Sequence, residues 1–449
     1  MPTIQDLSNE HLFFPKITSK SVFITTNGCS ENRFDCAKMQ RFFLANGWAV
    51  AENVKDADII LFNACGLTTL RENASLNVLS EMNAIKKKSA KIIVWGCFPK
   101  INFDRIRNEH KGIIFAQDEA AHLERYFEAD INAQQINACA LSELWDSQYK
   151  KFFNANNKPN LKSYLQKSFK KFVVGHIFHE AQDSVSFVDD DSYYIKISTG
   201  CLNSCSYCGV RFSRGKLSSE SIQKIEEHFK RGVDKGYTKF TLIATDLGSY
   251  GRDHHTNLVE LLNTLLKHCA DCKLRLPNIN PRWLLKMLPE FIDILSAGNV
   301  VALGSAVQTG SNRILKRMKR QHSIEDYKHA IHAMKSAFPD LKIRSNIIIG
   351  FPGETERDFR KTIQMFKEMD FSYADIHKYA PRPGTNASNM KDQVPAHVIE
   401  SRYLRIMKTS ALKYLKRKYG RCGEPYCRVN RSATALRRRQ HPFKRLDAA

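Results

Sequence analysis

The 449-residue sequence lacks any hydrophobic run long enough to span a membrane. Its first residues also lack the basic stretch followed by an apolar stretch that marks a secretory signal. We therefore expect a cytoplasmic protein with no membrane partner. In a reducing compartment, 12 cysteines suggest metal binding or catalysis rather than disulfides. The length allows about three domains.

The sequence is also short of acidic residues. Against 69 Lys and Arg stand 46 Asp and Glu, which gives a net charge of +23. Residues 401–449 are especially unbalanced, with 15 basic and 2 acidic residues. A basic tail of this kind suits a polyanion, and RNA is the partner we expect. A solvated end whose charge aids solubility accounts for the same composition about equally well.

Three cysteines, Cys201, Cys205 and Cys208, follow an apolar strand with Cys-x3-Cys-x2-Cys spacing. In so short a loop three thiolates can face one centre and hold three irons of a cubane cluster, which leaves the fourth iron open to a substrate. Zinc would need a fourth Cys or His, and residues 195–215 supply none. Buried, unligated thiols are the remaining alternative. The spacing favours an iron–sulfur cluster with one open coordination site.

The first predicted unit, residues 18–125, alternates short apolar runs with helical patterns, which is typical of an open parallel sheet with covered faces. The predicted elements are the strands Ser21–Cys29, Ala57–Cys65 and Lys91–Cys97 and the helices Glu31–Asn46 and Leu70–Lys88. Cys29, Cys65 and Cys97 each fall just past the carboxyl end of a strand, where the ligands of an open parallel sheet bind. Three cysteines in the same structural position predict a second cluster site.

Residues 126–190 are predicted to be a connector, and residues 191–395 a partial (β/α)6 barrel with ligands at its carboxyl-end loops. The predicted barrel strands are Tyr193–Ser198, Lys239–Ala244, Lys273–Pro277, Val300–Val307, Lys342–Gly350 and Ala374–Ala380. The cysteine triplet lies in the loop after the first of them. Residues 396–449 form a short basic, mainly helical segment, with a helix over Val398–Arg417. The expected fold class is α/β.

The triplet and its flanks resemble the radical S-adenosylmethionine superfamily. With a three-cysteine domain ahead of the barrel, the chain is similar to the methylthiotransferases that act on transfer RNA or ribosomal protein. The resemblance covers about residues 20–407. It is carried, in order, by the segments Thr26–Asn32, Leu61–Cys65, Trp95–Cys97, Val307–Ser311, Ile347–Thr355, Tyr379–Thr385 and Asp392–Pro395.

The resemblance implies an enzyme with two four-iron four-sulfur clusters, one on each cysteine set. One S-adenosylmethionine would methylate a sulfur carried by the N-terminal cluster. A second would yield a 5′-deoxyadenosyl radical that removes hydrogen from an unactivated C–H bond, so that the substrate takes up the methylthio group. The positions that correspond to adenosyl contacts are Tyr207, Asp246, Gln308 and Asn346. An electron donor such as a flavodoxin or ferredoxin is implied as well. Tyr207 could instead pack the loop, and Asp246 and Asn346 could be turn-formers.

The sequence departs from the family pattern around the triplet. The usual Pro after the triplet is missing, although Arg214 and Gly215 remain, and Thr245 and Asn346 replace a usual Gln and Asp. From 408 onward no alternating strands predict the RNA-binding β-barrel that most members carry. We expect a transfer RNA adenosine as substrate. The same chemistry on a ribosomal protein or peptide, and a non-catalytic iron–sulfur RNA-binding protein, are the alternatives.

The remaining cysteines receive weaker interpretations. Cys269 and Cys272 could be half of a zinc or redox site, but no second pair lies near them in sequence, so a structural role is favoured. Cys422 and Cys427 could join His441 in a small metal site or form a redox pair, but no role is favoured. Cys139 is assigned none.

Overall fold

The computed structural model describes residues 21–116, 125–127, 129–131 and 192–419. Most of the predicted connector and the chain beyond 419 lie outside these ranges, as do Cys139, Cys422 and Cys427. The described residues confirm the predicted α/β class, with a parallel N-terminal sheet, a parallel barrel sheet and a helix at the end.

The N-terminal sheet has five parallel strands in the order β2-β1-β3-β4-β5. They are β1 Ser21–Thr26, β2 Ala49–Val50, β3 Ile59–Asn63, β4 Lys91–Trp95 and β5 Ile113–Ile114. The accompanying helices are α1 Ser30–Ala45, α2 Thr69–Ile85, α3 Cys97–Ile101 and α4 Phe103–Glu109. Alternate residues of β1 enter different cores, since Val22 and Ile24 pack with Phe42 of α1 whereas Phe23 packs with Leu79 of α2. Burial on both faces explains the continuous apolar runs.

The three predicted N-terminal strands are all present, but each ends two or three residues before its cysteine. The two short strands β2 and β5 were not predicted, because two residues carry no periodic signal. The early ends matter for the site. They place each cysteine in the loop or first helical turn beyond the sheet edge, not within a strand.

The second sheet has six parallel strands in the order β13-β12-β11-β10-β9-β6, and its end strands β13 and β6 do not pair with each other. They are β6 Tyr193–Lys196, β9 Lys239–Ile243, β10 Lys273–Leu276, β11 Val300–Gly304, β12 Lys342–Ile349 and β13 Tyr373–Lys378. A hairpin of β7 Ser198–Thr199 and β8 Ser218–Ser219 follows β6. All six predicted strands are present, so the partial barrel is confirmed.

A short helix, α5 Val210–Arg214, follows the cysteine triplet and packs against α3 of the N-terminal domain. Further helices pack around the barrel sheet. They are α6 Ile222–Asp234, α7 Leu258–Leu266, α8 Pro281–Lys286, α9 Leu288–Ser296, α10 Asn312–Arg317, α11 Ile324–Ala337, α12 Glu356–Glu368 and α13 Ala396–Tyr419. Along β12, Ile343, Ile347 and Ile349 are buried in the core beneath these helices, whereas Arg344 and Asn346 alternate with them and are only half-buried. Arg344 and Asn346 therefore face the open side of the barrel, whereas Ser345 is buried on the same face as the isoleucines.

The two domains are docked through a small apolar cluster and several buried ion pairs. Phe34 and Ala37 of α1 pack against Tyr194 and Ile243 of the barrel. The carboxyl ends of both sheets consequently meet at one interface, which is where the two cysteine sets lie.

Within the described ranges, no helix is both long and apolar enough to cross a membrane.

Candidate functional site

The backbone of the triplet loop is fixed at two points, Gly200 and Ser206. Gly200 precedes it with φ +80°, and a Cβ there would lie 2.0 Å from the Lys216 carbonyl oxygen. Only glycine fits both demands. In the middle of the loop, the Ser206 amide donates to the Met318 carbonyl at 3.1 Å, and its own carbonyl accepts from Ala387 at 2.8 Å. The backbone path between the cysteines is thus fixed by the barrel.

Two cysteines of the triplet already accept hydrogen bonds at sulfur. Asn203 donates its amide nitrogen to Cys201 Sγ at 3.0 Å, and Arg320 donates to Cys205 Sγ at 3.5 Å. Burial, with the charge of Asp246, raises the pKa of the Cys201 thiol to about 12, so iron must displace its proton on binding. Donors aimed at sulfur stabilise the thiolate in that state. The donor set fits a cluster held by three thiolates.

The N-terminal cysteines occupy equivalent positions on their sheet. Cys29 caps α1 after β1, Cys65 follows β3, and Cys97 opens α3 after β4. Asn27 holds the Cys65 loop, because its side-chain oxygen accepts from the Cys65 amide at 3.1 Å. Gly96 precedes Cys97 with φ +108°. The three cysteines that sequence reasoning assigned together are therefore brought to one edge of one sheet.

Asn32 lies between two of these cysteines. Its side-chain oxygen accepts from Cys29 Sγ at 3.3 Å and from Cys97 Sγ at 3.8 Å. Its amide nitrogen donates to the side-chain oxygen of Asn63 at 2.5 Å, which fixes the orientation of the amide. Burial raises the pKa of the Cys65 thiol above its usual range, as at Cys201. This set, too, must lose protons to bind iron.

Within the described part of the chain, no three His, Cys, Asp or Glu side chains are grouped closely enough to hold one metal ion. A zinc site needs four ligands at about 2.0–2.3 Å from a single centre. A cubane cluster differs, since each thiolate binds a different iron and the sulfurs stand further apart. The described residues give no support to mononuclear zinc at either set.

The two sets are linked through Thr245, directly after β9. Its hydroxyl donates to a Glu31 carboxylate oxygen at 3.0 Å and accepts from the Gly200 amide at 3.2 Å. Gly200 adjoins Cys201, and Glu31 lies in the first turn of α1 beside Cys29. One side chain thus joins the backbone of one cysteine loop to the helix of the other.

The four positions expected to contact S-adenosylmethionine have different surroundings. Asp246 accepts from Asn203 at 2.7 Å and from the Asn280 amide at 3.0 Å, so it ties the triplet loop to the end of β10. Gln308 has φ +74°, unusual for a side chain with a Cβ, and its buried side-chain oxygen has no partner among the described residues. That oxygen is free to meet a ligand.

The other two positions are partly engaged. The ring of Tyr207 lies edge-on to Phe351 with centroids 6.4 Å apart, which is consistent with loop packing as well as with a ligand face. The side-chain amide nitrogen of Asn346 donates to the Asp375 carboxylate at 3.2 Å. It faces the open side of the barrel, near Gln308, whose amide donates to the Asn346 carbonyl at 2.8 Å.

Sequence reasoning missed several residues of the site. Asn203 and Asn32 lie inside recognised motifs, so their proximity to cysteine was a usable signal. Arg320 gave none, because it reaches Cys205 only through the folding of the loop after α10. Cys269 and Cys272 are joined in a disulfide, which agrees with the structural role favoured for this pair. The disulfide corrects the broader expectation that the cysteines serve metal binding or catalysis rather than disulfides.

Two protein-family models match this chain. The radical SAM superfamily model covers residues 195–366, and the model described as uncharacterized protein family UPF0004 covers residues 21–116. The two matches fall on the barrel and on the N-terminal sheet, respectively. Each contains one of the two cysteine sets.

Several curated proteins are similar over most of the chain. A threonylcarbamoyladenosine tRNA methylthiotransferase of Thermotoga maritima is 30% identical over 90% of this chain and 85% of its own length. A probable threonylcarbamoyladenosine tRNA methylthiotransferase of Pyrococcus horikoshii is 28% identical, covering 89% and 86%. A tRNA-2-methylthio-N(6)-dimethylallyladenosine synthase of Clostridium novyi is 30% identical, covering 87% and 81%.

A solved structure shares the fold. The radical S-adenosylmethionine methyltransferase TsrM of Kitasatospora setae, with cobalamin and an iron–sulfur cluster bound, has a TM-score of 0.53. The match covers 82% of this chain and 77% of that one, at 10% identity. At this identity the likeness concerns the fold alone.

Proposed function

From its membership of the transfer RNA methylthiotransferase family of radical SAM enzymes, to which this chain belongs, we propose that it inserts a methylthio group at a C–H bond of a transfer RNA adenosine. The enzyme class follows from the family. The proposal extends to the use of two clusters and two S-adenosylmethionine molecules. Transfer RNA is proposed as the substrate because the similar curated proteins are transfer RNA methylthiotransferases.

The observation that carries the proposal is the link between the two cysteine sets through Thr245. Radical generation and sulfur donation must reach the same substrate atom, so the two open irons have to share one cleft. The Gly200–Thr245–Glu31 chain, with contacts of 3.2 and 3.0 Å, supports this arrangement. If the sets lay on opposite faces, the reaction would need large domain motion.

We propose that Cys201, Cys205 and Cys208 hold one four-iron four-sulfur cluster and Cys29, Cys65 and Cys97 the other. When bound, the first supplies the electron that cleaves S-adenosylmethionine, and the second carries the sulfur to be transferred. Around them, Asn203 and Arg320 donate to the triplet sulfurs, which stabilises their anionic form. The proposed adenosyl contacts are Tyr207, Asp246, Gln308 and Asn346.

We further propose that the target adenosine carries an anionic substituent of the threonylcarbamoyl type, which ends in a carboxylate. In the first turn of α2, Arg71 is exposed, and its side chain makes no hydrogen bond or ion pair with any described residue. Its charge acts on the buried Cys65 thiol and on His377 of β13. It therefore stands between the two domains as an available cation.

The test uses anaerobically reconstituted protein, S-adenosylmethionine, a reductant and transfer RNA from cells lacking this protein. Nucleoside mass spectrometry should show one hydrogen of an adenosine replaced by SCH3. A Cys65→Ala variant should still release 5′-deoxyadenosine but give no methylthio product. Formation of a methylthiolated polypeptide instead, with transfer RNA unchanged, would contradict the proposed substrate.

The substituent is tested with two transfer RNAs, one bearing threonylcarbamoyladenosine and one bearing dimethylallyladenosine. Arg71→Ala should lower kcat/KM for the first about 10-fold or more, since a charge-assisted hydrogen bond contributes roughly 1.5–3 kcal/mol. It should leave 5′-deoxyadenosine release without RNA unchanged, which separates the substrate carboxylate from that of S-adenosylmethionine. If Arg71→Ala lowered kcat/KM for threonylcarbamoyladenosine and 5′-deoxyadenosine release by the same factor, this role would be contradicted.

A further inference from the structure

Arg214 belongs to the barrel domain but lies against the N-terminal cysteines. It ends α5, shortly after Cys208, and its side chain is 2% exposed. The guanidinium donates to the Asp35 carboxylate at 2.6 Å and to the Asn32 side-chain oxygen at 2.9 Å. A buried charge on the far side of a domain interface calls for a partner there.

The oxygen that Arg214 contacts is the one shared by two cysteines. Asn32 accepts from Cys29 and from Cys97 through this atom. When these cysteines bind iron as thiolates, they lose the S–H groups that donate to it. Arg214 then remains as a donor, and it brings positive charge beside newly anionic ligands. Without that charge, the oxygen of Asn32 would face two thiolates.

Arg214 shares its two carboxylate neighbours with other groups. Lys196 also donates to Asp35, at 2.9 Å, so that carboxylate is shared between two cations. Glu31 stands 4.0 Å from the guanidinium and accepts from the Thr245 hydroxyl. Neither carboxylate is therefore partnered by Arg214 alone, and the second hydrogen bond of Arg214 goes to Asn32, which contacts Cys29 and Cys97.

We propose that Arg214 is a positioning residue for the N-terminal cluster, holding Cys29 and Cys97 through Asn32 and compensating the charge of the ligands. This proposal rests on the proposed function, because it takes the N-terminal cysteines to bind a cluster. Its consequence is that the sulfur-carrying site is complete only when the barrel is docked. The sulfur donor then forms facing the radical source.

The test uses the full-length chain with Cys201, Cys205 and Cys208 changed to Ala, so that only the N-terminal site can bind a cluster. In this background we compare Arg214→Gln, Arg214→Lys, Asn32→Ala and a matched control, Arg382→Gln. Among the described residues, Arg382 is another buried arginine that crosses the interface, with its side chain 5% exposed, and its hydrogen bonds go to Glu72 and Thr69 of α2. Iron content and the midpoint potential are measured after anaerobic reconstitution.

Arg214→Gln should lose most of its iron, and the cluster that remains should have a more negative midpoint potential, because a cation has been removed. Arg214→Lys should keep the potential of the parent. Asn32→Ala should lose iron with a smaller shift of potential, and Arg382→Gln should retain iron like the parent.

Equal iron loss in Arg214→Gln and Arg382→Gln would assign the effect to domain docking and overturn the proposal. Thermal melting of each variant identifies misfolding. If Arg214→Gln does not fold, the folded Arg214→Lys variant decides the question, because a midpoint potential more negative than that of the parent would overturn the proposal. A parent that binds no iron would instead refute the N-terminal cluster of the proposed function.

Discussion

The strongest structural prediction concerns the buried ion pair between Glu72 of α2 and Arg382 of the barrel loop after β13. The Arg382 guanidinium donates to Glu72 at 2.5 Å, and the two side chains are 1% and 5% exposed. It also donates to the Thr69 hydroxyl at 3.0 Å. Removing one partner leaves the other charge buried, which costs about 3–5 kcal/mol. We expect a loss of this size for Glu72→Ala.

The assay is a double-mutant cycle with Glu72→Ala, Arg382→Ala and the double variant, measured by urea unfolding of iron-free protein under anaerobic conditions. The double variant should be more stable than the sum of the single losses predicts, with a coupling energy of about 1–3 kcal/mol. The exposed pair Arg317 and Asp392, with side chains 32% and 50% exposed, is the matched control. Its coupling should be about 0.2–1 kcal/mol.

A coupling energy between Glu72 and Arg382 no larger than that of the exposed pair would refute the reasoning. It would mean that water reaches the interface and screens the charges. Arg105 also pairs with Glu72 but is 32% exposed, so Arg105→Ala should cost much less than Arg382→Ala. A larger cost for Arg105→Ala would likewise contradict the assigned burial.

Three further predictions follow from the site and the barrel. Gly200→Ala should abolish iron binding at the triplet in a chain whose N-terminal cysteines are replaced, because its Cβ would clash with a carbonyl at 2.0 Å; normal iron content would contradict this. Asn203→Ala should weaken iron retention by the triplet about 10–100-fold in a chelator competition, since it removes a donor to Cys201, and unchanged retention would argue against that bond. Burial raises the pKa of Glu354 from 4.5 to about 7, so its contribution to the free energy of unfolding is present in acid and lost as the pH rises through 7. Urea titrations should show that Glu354→Gln flattens this decline, and an equally steep decline would refute it.

The longer strands of the N-terminal sheet could be predicted because they are buried on both faces. β3, for example, is a run of five residues in which every residue is buried. The two-residue strands β2, β5, β7 and β8 are too short for any period to be read. That Cys29, Cys65 and Cys97 lie along one edge could be predicted because strand ends in a parallel sheet share one edge. The contacts around sulfur could not, because Arg320 and Arg214 reach the cysteines only after distant segments pack.

Thr245 shows how a departure from a family pattern can acquire a physical meaning. The sequence has threonine at 245, where the resemblance leads one to expect Gln. In the folded chain the short hydroxyl lies close enough to the backbone of Gly200 to accept its N–H while donating to Glu31. Thr245 therefore forms a direct hydrogen-bonded link between the two cysteine sets at a position where the family pattern has a longer side chain.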